Sequence, residues 1–296
     1  MVILNPLQAE ACGTLVMRMD ELERTLFIGL PKEIPPSFSW RGQMSKVKNQ
    51  GNVQSCAAFA ATAIIEFQKR KRAEVSQEYD LSEALLYEIS THEDNQTSSS
   101  CRQAGRYFSF IINTLILLGI PREDCHPYSK VCEDPPSKFG EESPLWCERW
   151  SELSTLNRIK DAVAINTLDL KALKNAIYVA PVLAGMIVFN DFFSYSGGVY
   201  EHPPSEGESI AGFHAIVLVG YDDDKKALEL RNSWGADWGE EGYAWMSYDL
   251  VTAGEYTVTC NGYTIKIPFF FDAYHLLPLK REWSELRRHT VSLPSR

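Results

Sequence analysis

The chain has no long apolar run. Nowhere does it approach the roughly 18–20 consecutive apolar residues that a membrane-spanning helix requires, so no membrane partner is expected. It also lacks an excess of positive charge. The formal net charge is −10, whereas a phosphate backbone is bound by a basic surface, so no nucleic-acid partner is expected. There is no C-x-x-C pair. The seven cysteines, Cys12, Cys56, Cys101, Cys125, Cys132, Cys147 and Cys260, are widely spaced; they do not read as a zinc set, and neither metal nor cofactor is expected. Their odd number leaves at least one outside any intrachain pairing. The start, Met1 to Pro6, shows no basic region followed by a long apolar core and a small-residue cleavage site. The expectation is a cytoplasmic protein, or one exported by a signal-independent route, with reduced thiols; one disulfide among Cys125, Cys132 and Cys147 is the alternative in an exported protein. No internal repeat is present.

What is there is ordinary globular material. The 296 residues are 45% hydrophobic, 11% aromatic and 23% charged, enough for one large or two modest domains. Residues 1–36 read as an arm: Leu15, Met19, Leu22 and Leu26 fit a helical stripe, and Pro31, Pro35 and Pro36 end it in a stiff extended connection. Residues 37–150 read as mainly helical. A helix begins at Ser55 or Cys56 and ends in Lys69-Arg70-Lys71-Arg72, read as a solvated helix end. A second begins after a capping Ser82. A third spans 102–118 and closes at Gly119-Ile120-Pro121. Residues 125–150 are irregular, and Asn95-Gln96-Thr97 is a glycosylation sequon with meaning only in a secreted chain. Residues 151–296 read as β-rich: a helix at 168–178, then strands at 181–189, around 199, at 214–221, 227–231, 242–246 and 263–267, and a basic tail from Lys280 to Arg296. Helices first and an antiparallel sheet second give an α+β fold, expected as two lobes with a cleft between them.

The chemistry concentrates at a few positions. Cys56 stands where a polar loop meets an apolar helix, and a thiol at a helix N-terminus is favoured as the nucleophilic thiolate. A buried structural cysteine is the plain alternative. A cysteine nucleophile needs a base, a group that orients the base, and donors for an oxyanion. His214 opens one strand and Asn232 ends the next. A hairpin turning near Asp223 to Lys225 makes them neighbours, so that the Asn carbonyl oxygen holds one imidazole nitrogen while Trp234 covers the pair. Gln50, six residues before Cys56, carries an amide suited to the oxyanion.

Three blocks resemble the papain family of cysteine peptidases. The first is Trp40-Arg41 with Val47-Lys48-Asn49-Gln50-Gly51 and Ser55-Cys56. The second is His214-Ala215-Ile216-Val217-Leu218-Val219-Gly220-Tyr221. The third is Arg231-Asn232-Ser233-Trp234-Gly235 followed by Trp238-Gly239-Glu240-Glu241-Gly242-Tyr243. Weaker echoes are Leu81-Ser82-Glu83, Gly119-Ile120, Pro127-Tyr128 and Gly197-Gly198-Val199-Tyr200. The resemblance covers about residues 36–245 in the family's order.

The resemblance implies a papain-like two-lobed fold, a helical lobe and an antiparallel β-barrel lobe flanking the active-site cleft. It implies an endopeptidase acting through an acyl-enzyme, with Cys56 as nucleophile, His214 as base and acid, Asn232 as orienter, and Gln50 with the Cys56 N–H as oxyanion hole. Gly105, Arg106 and Tyr107 would line the non-primed side, and Gly185, Gly212, Phe213 and Ala215, with Trp234, the substrate pocket; close packing is the alternative for the glycines. The partner would be a peptide or protein substrate, the state a monomer, and the arm a short pro-segment restraining activity. The family usually has a cysteine three residues before the nucleophile, disulfide-bonded elsewhere, and a tryptophan after it. Here these are Val53 and Ala57; the missing cysteine suits a bacterial-type member made without disulfides, and Ala57 bears on substrate preference. Two readings stay open beside the peptidase: an acyl transferase using the same residues, and a catalytically silent binding protein.

Overall fold

In the computed structural model the described residues are 33–71, 75–76, 78–90, 97–136, 142–202, 208–260 and 263–278. The helical stripe expected in the N-terminal arm, the sequon's Asn95 and the basic tail lie outside them. The described chain divides into two compact units. A sheet unit takes 33–42, 46–51 and 163–275; a helical unit takes 43–45, 52–162 and 276–278. Thus Asn49 and Gln50 belong to the sheet unit and Cys56 to the helical one.

The helical unit is built on α1 (Cys56–Lys71), whose Ala-rich sequence has high intrinsic helicity and whose first thirteen residues are all buried. Its buried polar groups are engaged: Glu66 accepts from the Leu81 amide at 3.1 Å and the Gln68 amide donates to Leu276 O at 2.6 Å. The basic end is not simply solvated as expected. Arg70 is buried against Glu66, and Lys69 and Lys71 are tied to Leu156 O and the Gln43 amide oxygen. Burying α1 leaves the carboxylate of Glu66 to be matched by a cation one turn on. Ser82 caps α2 (Glu83–Ile89) through the Leu85 amide, a bond worth about 1 kcal/mol.

The single helix expected over 102–118 is two, α3 (Ser98–Gln103) and α4 (Phe108–Leu117). Side chains take the carbonyls that a continuous helix would use. Tyr87 Oη donates to the carbonyls of Cys101 and Ala104, and Arg106 Nη1 to Ala104 O at 2.8 Å. After α4, Gly119 sits at φ +83°, and a Cβ there would lie 2.1 Å from Ser154 O, so only glycine lets this turn pack against α5 (Trp150–Ser154).

The expectation of reduced thiols is overturned. Cys101 bonds to Cys132 and Cys125 to Cys147, while Cys56 keeps its thiol. Both cross-links pin a stretch that has little regular structure to hold it. The same stretch is held from α2, where the buried Glu88 carboxylate accepts from Cys132 N at 2.6 Å, Trp146 Nε1 at 3.0 Å and the His126 ring at 3.0 Å.

The larger sheet, most of it in the sheet unit, has the order β2 (Ile159–Ala164), β11 (Phe270–Pro278), β3 (Val182–Val188), β6 (Gly212–Asp222), β7 (Ala227–Arg231), β8 (Tyr243–Ser247), β4 (Val199–Tyr200), with β1 (Ser37–Ser39) added to β6. A smaller sheet orders β10 (Tyr263–Pro268), β9 (Glu255–Cys260), β5 (Glu208–Ser209). The helices here are α6 (Leu170–Val179), capped by Asp169, and the short α7 (Asp249–Thr252). β3 is buried along its whole length, and every residue of β6 between its two ends is buried. Such strands read as continuous apolar runs, which is why the sequence discloses them. β1, β2, β9 and β11 are not foreseen, because their apolar residues are interrupted by Ser, Asp, Lys, Thr or Tyr. The α+β class stands.

Candidate active site

The hairpin of β6 and β7 carries the site. Its turn follows Asp222, whose carboxylate accepts from the Asp224 and Lys225 amides at 2.9 and 3.1 Å. This closes the strands in antiparallel register, with Val217 opposite Arg231. His214, three residues before Val217, thereby meets Asn232, one residue past Arg231. His214 Nε2 lies 2.7 Å from Asn232 Oδ1, and both side chains are buried.

The proton position follows from the partners. The Ser233 amide donates to the same Oδ1 at 2.8 Å, which identifies that atom as the carbonyl oxygen. An oxygen that only accepts requires the imidazole proton on Nε2, leaving Nδ1 as the basic nitrogen. Trp234 lies over the ring, with centroids 4.7 Å apart, and is itself packed against Phe192, Phe193 and Trp238. Burial pushes the His214 pKa down to about 4, and the bond to Asn232 offsets part of that.

Gln50 is attached to the same block. Residues 48–50 run antiparallel to 233–235, with Gln50 N donating to Ser233 O at 2.8 Å and Gly235 N to Lys48 O at 3.2 Å. Gly235, at φ +84°, permits this: a Cβ would sit 3.2 Å from the Asn49 amide nitrogen. Ser233 Oγ then donates to Gln50 Oε1 at 2.6 Å, which fixes the amide with its oxygen on the serine and its NH2 pointing away. This contact of Ser233 with Gln50 is not foreseen; the serine's one signal in the sequence is its place between Asn232 and Trp234.

Cys56, in the helical unit, is the first residue of α1 and is buried. Ser55 O accepts the amide of Phe59, so the helix begins at the thiol. The thiol therefore stands at the amide end of α1.

The remaining candidates separate. Gly185 pairs with Ala215 across β3 and β6, and both are buried; Gly212 opens β6 at the surface side of the same strand, and Phe213 packs edge-on to Phe271. Gly105 and Tyr107 flank the break between α3 and α4. Arg106 is a correction. It is 1% exposed, its guanidinium bonds to the carbonyls of Tyr87 and Ala104 and stacks on the Tyr87 ring at 4.1 Å, so it is a structural brace rather than a substrate contact. Among the described residues no cluster of His, Cys, Asp or Glu is arranged to hold a metal.

The sequence signature of the papain family cysteine proteases matches residues 34–261. The chain belongs to the papain family. It is 32% identical to the oryzain beta chain of Oryza sativa subsp. japonica over 76% of this chain and 45% of that one, and 29% identical to ananain of Ananas comosus over 73% and 57%. It spans about half the length of the curated relatives it matches. Among solved structures, xylellain, a cysteine protease from Xylella fastidiosa, superposes with a TM-score of 0.70 over 94% of this chain and all of that one, at 22% identity. The papain-like fold is therefore established together with the family.

Proposed function

We propose that this papain-family protein is a cysteine endopeptidase. Cys56 is the nucleophile, His214 the general base and acid, Asn232 the residue that holds the imidazole, and Gln50, with the Cys56 N–H, the oxyanion donor. The observation that carries the reading is the buried His214–Asn232 bond at 2.7 Å under Trp234, which fixes the proton on Nε2 and leaves Nδ1 basic. Neutral Nδ1 takes the thiol proton. The thiolate attacks the peptide carbonyl, and the oxyanion is stabilised by Gln50. The imidazolium returns its proton to the leaving amine, and water hydrolyses the thioester. A histidine whose proton affinity burial has lowered to about 4 holds a proton near neutrality only beside an anion, and the thiolate supplies one.

The substrate is a peptide or protein, with Gly185, Gly212, Phe213 and Ala215 bordering a pocket for a bulky apolar side chain. The two disulfides support an oxidising working compartment in place of the cytoplasm. The bacterial-type reading rests on Val53 alone, since its companion expectation of reduced cysteines did not hold.

The test is labelling with an epoxide-type thiol inhibitor beside a fluorogenic peptide assay. Stoichiometric labelling at Cys56, loss of hydrolysis with it, and an inert but folded Cys56→Ala variant are expected. A folded protein that neither labels nor cleaves would establish the silent-scaffold reading. Acyl transfer to an added amine in excess of hydrolysis would establish the transferase.

A further inference from the structure

The helical unit contains a second set of contacts to the nucleophile's helix. Ser55, the residue before Cys56, is completely buried. Its hydroxyl bonds to Val53 O at 3.4 Å and to Tyr128 Oη at 2.7 Å. A serine at a helix start commonly turns its oxygen onto its own helix; this one is held by a tyrosine 73 residues on. The same tyrosine ring packs edge-on against Phe59, centroids 4.8 Å apart, one turn into α1. Tyr128 therefore touches the chain on both sides of Cys56, at Ser55 before α1 and at Phe59 within it.

Tyr128 is itself held. It lies between Cys125 and Cys132, each of which is cross-linked to a different part of the unit. Its amide donates to Glu123 Oε1 at 2.6 Å, and two residues earlier His126 is bonded through its carbonyl to Ser82 and through its ring to Glu88. Burial pushes the Tyr128 hydroxyl well above its usual range, so it remains a proton donor at any working pH. Val53 O can only accept, so Ser55 donates to it and accepts from Tyr128. The bonds run Tyr128 to Ser55 to Val53.

We propose that Tyr128 is a positioning residue for Cys56, fixing the start of α1 through Ser55 so that the thiol meets the helix amides that favour its ionised form. This rests on the endopeptidase reading above. Tyr128→Phe keeps the ring packing on Phe59 and removes the hydroxyl, leaving the Ser55 hydroxyl without its donor. The loss of one neutral hydrogen bond predicts a fall in kcat of about three- to tenfold with little change in KM. The midpoint of the pH dependence of Cys56 alkylation by iodoacetamide should also move upward, because a loosened helix start stabilises the thiolate less. Ser55→Ala should do the same, and the double variant should be no worse than either single one.

Alkylation is read without any substrate, which separates the two proposals. A wild-type protein that alkylates but does not cleave peptide defeats the endopeptidase reading. A wild type that cleaves, with Tyr128→Phe unchanged in kcat and in its alkylation midpoint, overturns the role of Tyr128. Additive effects of the two substitutions would overturn it as well. A lower Tm with an unmoved alkylation profile would make Tyr128 a packing residue only.

Discussion

Replacing Asn232 by aspartate would set a carboxylate where a neutral oxygen now lies 2.7 Å from His214 Nε2. The sign is fixed by Coulomb's law. Two unit charges about 4 Å apart at an effective dielectric constant of about 20 attract by about 4 kcal/mol, equivalent to about 3 pH units. The carboxylate is itself buried, which removes part of that gain, so a rise of about 1–3 pH units is expected. His214 should move from about 4 back toward the range of an exposed imidazole. Asn232→Ala should shift it the other way, since the bond it removes is the one that raises the pKa. Imidazole NMR titration in a Cys56→Ala background isolates the effect from the thiolate. Folding linkage gives a second readout. In that Cys56→Ala background with Asn232 kept, the folded-state value lies below the unfolded one, about 6.5, so the unfolded chain binds more protons and stability falls as pH drops from about 6.5 toward 4, by about 3 kcal/mol for this group. With Asn232→Asp that acid loss should shrink, measured by urea unfolding at pH 7 and 4.5. An unmoved or lowered His214 titration in Asn232→Asp would refute the assigned bond and tautomer.

The Ser233 hydroxyl fixes the Gln50 amide, so Ser233→Ala should lower kcat/KM about three- to tenfold, the worth of one hydrogen bond, while Gln50→Ala costs about 10²–10³ as an oxyanion donor. The double variant should match Gln50→Ala alone, and a further loss in the pair would mean that Ser233 acts on something else. The disulfides close sequence separations of 31 and 22 residues, so breaking either by paired Cys→Ser substitution should lower stability by about 3–4 kcal/mol in a denaturant titration. A variant with undiminished stability would mean that the denatured chain is already constrained there.

The site was legible for a local reason. His214 and Asn232 flank one hairpin, and the turn acids Asp222 to Asp224 announce where the chain reverses, so their being neighbours follows from sequence alone, whereas the register shift between Leu218 and Gly220 does not. Gln50 was suggested by an amide six residues before Cys56 and singled out by likeness to a known block. The contact that explains it, residues 48–50 running against 233–235, joins positions about 185 apart in the chain and leaves no pattern in either segment. The burial of the Arg106 side chain was not legible because a buried arginine and a substrate-facing one look identical in sequence; what decides is where the carbonyls of Tyr87, in α2, and Ala104, at the break between α3 and α4, lie in space. The disulfides were missed for a similar reason. Cysteine spacing carries no partner information, and Cys101 reaches Cys132 past another cysteine that pairs elsewhere.

Val53 occupies the place where the family usually has its cross-linking cysteine, yet the approach to Cys56 is tied down all the same. The Gln54 amide donates to Arg102 O at 2.9 Å. Arg102 follows Cys101, which is covalently joined to Cys132. The segment ending at Cys132 carries Tyr128, whose hydroxyl returns to Ser55. From 54 to 102, 101 to 132, and 128 to 55, one disulfide and two hydrogen bonds close a ring around the residues that lead into Cys56. A direct disulfide at position 53 would anchor that approach at one point. The ring anchors it at two, Gln54 and Ser55, and makes both depend on the same covalent bond. The Cys101–Cys132 link therefore bears on the reactivity of Cys56 as well as on global stability, whereas Cys125–Cys147 reaches Cys56 only through the other end of the Tyr128 segment.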